Sequence, residues 1–157
     1  MEPFVFQQLA FVRKLTLKAA EGLTEEMADI VPDGFRNSLR WQLGHLYVVL
    51  ERFAFKAPGL PQQLPDGFRE RFEFGTSPLT WAVDAPLPTL PELRELLAEQ
   101  PARVEALLAQ RLREEVAPYT TSTGFTLSTP GEFLGLALYH EGLHQGAVKL
   151  YKTILSR

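Results

Sequence analysis

The chain has 157 residues, 45% of them hydrophobic and 22% charged, with a formal net charge of −3 and no cysteine. That length suits one domain around one core and is short for two. The composition offers neither the Lys/Arg runs expected for a nucleic-acid partner nor the ~18 uninterrupted apolar residues of a membrane span, and without cysteine there is no disulfide, thiolate ligand or sulfur nucleophile.

The opening MEPFVFQQLAFVRKL has no basic region ahead of an apolar stretch and no small-residue cleavage site. A signal peptide is not expected, and a soluble cytoplasmic protein is. Val5, Leu9, Val12, Ala19 and Leu23 recur at helical spacing, with Pro3 suited to the opening turn. A short helical turn can start at Thr24, with Glu25 and Glu26 favourable at its N-terminus, before Pro32-Asp33-Gly34 ends it.

A second long helix opens at Asn37 or Ser38 and runs through LRWQLGHLYVVLERFAF. From Trp41 to Leu50 only Gln42 and His45 interrupt an apolar surface, so this helix belongs inside a bundle and His45 is buried or at the floor of a cavity. Residues 56–88 are rich in proline but carry Phe68, Phe72, Phe74 and Trp81, which predicts a packed connection covering one end of the bundle or a site. Thr89 and Glu92 form a capping box for a third helix with the stripe Leu93, Leu96, Leu97, Val104, Leu107, Leu108 and Leu112. The stripe keeps its phase across Pro101, predicting a kink and not two helices.

Residues 119–128, YTTSTGFTLS, favour extended structure. Thr129 and Glu132 then cap a fourth helix with Pro130 at its first position. The expectation is an all-α four-helix bundle, one domain over 1–157, with a long ordered loop between the second and third long helices.

The fourth helix contains LALYHEGLHQGAV, residues 136–148, and so the pattern H-E-x-x-H of zinc proteases. His140 and His144, four residues apart, share a helix face with small Ala137 and Ala147, while Glu141 is rotated about 100° away. A protease of this type needs a third ligand, usually downstream, yet QGAVKLYKTILSR contains no His, Asp or Glu. The extended metzincin pattern would place Gly at 147 and His at 150, where Ala147 and Leu150 stand. The remaining histidine, His45, can complete the set if the second and fourth long helices are neighbours. Three neutral imidazoles suit a divalent metal and leave a position open for water or substrate, as in catalytic sites. A single histidine on an apolar face is more often a hydrogen-bonded core residue. Here all three histidines of the chain fall on inward faces and none on the polar surface, which favours a metal.

NSLRWQLGHLYVVLERF, FRERFEFGTSPLTW and LALYHEGLHQGAVKLYKTIL together resemble the DinB/YfiT-like superfamily, over nearly the whole chain. The resemblance implies a four-helix bundle holding a divalent metal, zinc or nickel, on His45, His140 and His144. It implies a transferase using a low-molecular-weight thiol such as bacillithiol, or a related hydrolase, acting on a small-molecule substrate, and a homodimer. A non-enzymatic metal- or ligand-binding bundle of a stress response is the alternative. HQGAV replaces the family's frequent His-Arg-Gly-Gln, so a basic side chain is missing there. Trp41, Gln42, Glu141 and Gln145 are candidates for pocket roles, but the simpler expectation makes Trp41 core and leaves Glu141 and Gln145 solvated. No catalytic residue is assigned.

Overall fold

The computed structural model describes residues 3–156. Its long helices are α1 (Phe4–Ala19), α3 (Leu39–Glu51), α5 (Leu90–Leu108) and α6 (Pro130–Leu155); the short α2 (Glu25–Asp29) and α4 (Phe68–Phe72) lie in the connections. α1 packs on α5 and α6, and α3 packs on the same two, so the four form a closed bundle. The expected all-α bundle is what the chain forms. A two-stranded hairpin pairs Tyr119–Thr120 with Thr126–Leu127, in the segment expected to be extended.

The helix starts follow from local chemistry. Thr24, Ser38, Thr89 and Thr129 each accept a hydrogen bond from a backbone N–H of the turn they begin, and Thr89 with Glu92 and Thr129 with Glu132 close full capping boxes. Every residue of α3 is buried, as its all-round apolar surface requires. After Glu51 it widens into a π turn, Arg52–Lys56, in which the Ala57 N–H reaches the Arg52 carbonyl and the Leu60 N–H the Phe55 carbonyl. Pro58, with no N–H, cannot extend an α ladder there.

The inward face of α1 differs from the expected stripe. Leu9 is buried, but Val5, Val12 and Ala19 only flank the core, and the seam is Phe6, Leu9, Arg13, Thr16 and Ala20. The buried Arg13 reaches across the bundle. Its Nε and Nη2 donate to the two carboxylate oxygens of Glu141 on α6 at 2.7 and 3.0 Å. Its Nη1 donates to the Leu97 carbonyl and to Gln100 Oε1 on α5, at 2.6 and 3.1 Å. Gln100 in turn donates to the Tyr47 carbonyl and Glu51 of α3, and Arg103 pairs with Glu51. One buried polar layer therefore ties all four long helices together.

That layer also explains Pro101. α5 runs on through it as one helix. Proline leaves the carbonyl four residues earlier, that of Leu97, without its helical N–H, and Arg13 supplies the missing donor. Two other expectations need correction: Leu107 turns outward at 46% exposure, and Phe74 stands at 81%. Both lie on segments whose facing neighbours were not visible from periodicity.

Arg40, buried at the start of α3, binds Asp29 and Glu25 of α2 and the Pro88 carbonyl, while Glu25 accepts the Leu90 N–H. Both connections are thus fastened to the N-terminal end of α3. Among the described residues no helix is long and apolar enough to cross a membrane.

Candidate metal centre

α3 and α6 pack antiparallel along one seam, with Trp41 facing His144, His45 facing His140 and Phe53 facing Phe133. This neighbourhood brings the three histidines together. His140 Nε2 lies 3.2 Å from His45 Nε2 and 3.1 Å from His144 Nε2. Imidazole–zinc bonds of ~2.0–2.1 Å in tetrahedral geometry place ligand nitrogens about 3.3 Å apart. The three side chains form a cluster that can hold a metal ion.

The outer ring nitrogens show why Nε2 faces inward. His45 Nδ1 donates to the Phe72 carbonyl at 2.6 Å, and His144 Nδ1 donates to Gln42 Oε1. Both acceptors can only accept, so Nδ1 carries the proton and each Nε2 presents a lone pair. His140 Nε2–H can satisfy one of the two facing lone pairs and not both. A cation at the centre removes the conflict. The donor set therefore fits a divalent metal.

Residues that periodicity did not rank hold this arrangement. A Cβ on Gly44 would lie 2.5 Å from the Phe72 ring, so only glycine lets that ring rest on α3 and aim its carbonyl at His45. The Trp41 ring stacks on His45 at 4.4 Å and 12°, and its Nε1 donates to Thr76 Oγ1 at 2.9 Å. Trp41 is core, as expected, and also a wall of the site. Gln42 holds His144 and also bonds Tyr151, a role the sequence left unranked.

Glu141 corrects the sequence expectation directly. It is 3% exposed, and both its oxygens are taken by Arg13, one also by Thr16. It faces α1, its carboxylate engaged by Arg13 and Thr16, and cannot serve as a protease's general base. Gln145 is half-buried and not solvated, and its Nε2 has no hydrogen-bond partner.

Burial holds the imidazoles neutral in the metal-free chain. Desolvation lowers His45 to about 4, the Phe72 hydrogen bond offsetting part of this. It lowers His140 to about 3, with help from the charges of His144, His45 and Arg52, and His144 to about 4. The unfolded chain takes up these protons near 6.5, the native chain only well below. Stability from these groups is therefore complete above 6.5 and is lost as pH falls through about 4 toward 3. Metal retention should fall in the same direction, because protons compete for the same nitrogens. The check is thermal unfolding with and without zinc: the metal-induced rise in Tm should be large at pH 7 and largely lost at pH 3, below the range in which the native histidines take up protons. An equal rise at both would contradict histidine ligation.

A helical bundle whose core seam carries a convergent histidine triad is the class of protein defined here. Residues 8–148 match the DinB superfamily, and the chain belongs to it. No curated protein is significantly similar to the chain.

Proposed function

We propose that the protein is a metal-dependent transferase of the DinB type, acting with a low-molecular-weight thiol at a zinc or nickel ion held by His45, His140 and His144. The carrying observation is the convergence of three Nε2 atoms with two Nδ1 atoms already committed to acceptors. A divalent ion bound there would supply a position that favours the thiolate form of a sulfur ligand at neutral pH.

The chain's own residues prepare that position. Phe72 and Gln42 orient the rings, and Trp41 shields one face of His45 from water. His140 and His144 are only half-buried, so the centre is open to a small molecule on their side. With no cysteine in the sequence, the nucleophilic sulfur has to come from the cosubstrate, for which bacillithiol is one example. Its sulfur would bond to the electrophilic carbon of the substrate as the leaving group departs with the electron pair. A cytoplasmic setting, where such thiols stay reduced, belongs to the same reading. So does a homodimer, supported by the outward apolar residues Tyr139, Leu143, Leu150 and Ile154 along α6.

The test is turnover of metallated protein with a panel of small thiols and aryl or alkyl halides, with casein as a protease control. Conjugation should be metal-dependent, lost in His45→Ala, and accompanied by intact casein. Metal-dependent peptide cleavage would overturn the reading. Absence of turnover across the panel, in protein shown to carry its metal, would favour a binding protein instead.

A further inference from the structure

Two helical turns along the α3–α6 seam from the histidines lies a second feature. The π turn brings Arg52, Phe53 and Lys56 to a groove of about 360 Å³ shared with Tyr119 and Phe133. Small Ala57 and Ala117 complete its lining and keep it open. Phe53 and Phe133 are buried with rings 5.9 Å apart, and Tyr119 lies 6.2 and 6.3 Å from them. The lining is an aromatic box.

Its rim is cationic. The Arg52 guanidinium sits 5.0 Å above the Phe53 ring and pairs with Glu73 at 2.6 Å. Lys56 is exposed and, among the described residues, makes no ion pair. Two cations and one carboxylate leave one positive charge for a ligand. Small-molecule sites combine an apolar lining with a few placed polar groups, starting at roughly 300 Å³, and π turns inside helices often mark functional positions. The groove against α5 makes a contrast: Asp66, Glu92, Glu95 and Glu99 line it beside Arg71 and would repel an anion.

We propose that the Arg52–Lys56 groove binds a small organic carboxylate with an aromatic body, its carboxylate on Lys56 and Arg52 and its ring among Phe53, Tyr119 and Phe133. Seven residues separate both Arg52 from His45 and Phe133 from His140, about 10 Å along a helix. The groove is a separate site, with the buried Val49 and Ala137 of the seam between it and the triad. The inference concerns binding and stands apart from the proposed metal chemistry.

Isothermal titration of the full chain with 2-naphthoate tests it, using metal-free protein so that carboxylate–metal coordination cannot contribute. One-to-one binding is expected, with amide shifts by NMR at Ala57, Ala117 and Tyr119. The neutral 2-naphthamide should bind about tenfold more weakly, the scale of one charge-assisted hydrogen bond. Lys56→Gln, at an exposed position, should lower naphthoate affinity by roughly tenfold and leave naphthamide unchanged. Tyr119→Ala should weaken both ligands, and Lys149→Gln, an exposed cation elsewhere on α6, neither. Equal affinity for naphthoate and naphthamide, insensitivity to Lys56→Gln, or shifts clustered at the α5 groove would overturn the proposal. Binding only to zinc-loaded protein, indifferent to Lys56, would do so as well, since it would mark a metal-bound carboxylate.

Discussion

His45→Ala should reduce bound zinc from about one ion per chain to a small fraction of that, as should His140→Ala and His144→Ala. Two imidazoles cannot hold the ion as three do, and the affinity loss should exceed ~100-fold, beyond the ~10–100-fold typical of an outer hydrogen-bond partner. Gln42→Leu belongs to that outer class. It removes the acceptor that holds His144 Nδ1, so affinity should fall by roughly 10–100-fold, while Gln42→Glu, which keeps an acceptor, should retain zinc. Competition against a chromogenic chelator gives these affinities, and elemental analysis gives the stoichiometry. If His45→Ala bound zinc as tightly as the unaltered chain, the triad would be reduced to the helix pair, and the case for a three-histidine centre would fail.

Glu141→Leu should be strongly destabilising. Arg13 and Glu141 are both almost fully buried and make a two-pronged pair. Removing one partner strands a charge in the core, at a cost of about 3–5 kcal/mol. For a chain of this size that corresponds to a fall in Tm of roughly 10 °C or more. Glu141→Gln should share most of the loss, because a neutral amide cannot balance the guanidinium. The double change Arg13→Met with Glu141→Leu should recover much of it, since no uncompensated charge remains. Below the lowered Tm, zinc should stay near one ion per chain, because Glu141 is not a ligand. A protease would behave in the opposite way, keeping its stability in Glu141→Gln while losing peptide cleavage. Thermal unfolding and metal content measured on the same samples separate the two.

The histidine pair and its missing partner were legible because both depend on simple relations. A spacing of four aligns His140 with His144 on any helix, and His45 was the one histidine left to complete the set. The surroundings were not legible. Phe72 reaches His45 from a proline-rich loop 27 residues away, and Gln42 meets His144 across 102 residues. Glu141 looked solvated because a lone carboxylate on a helix usually is, and its partner lies 128 residues away on α1. The same pair turns the α1 seam away from the apolar pattern of Val5, Val12 and Ala19, because Arg13 and Thr16 are the residues that face Glu141.

The amino-acid sequence alone determined where the helices begin, that four long ones form, and that one carries two histidines on an inward face. Caps, proline positions and helical periodicity act over four residues or so, and therefore mark the helices without reference to distant parts of the chain. Only the tertiary structure decided which helices share a seam, and with that the closing of the triad, the burial of Glu141 and the joining of Arg52 and Lys56 to an aromatic groove. Whether a charge is buried or solvated depends on the partner that meets it, and that partner is brought by packing, across a separation that local pattern does not encode.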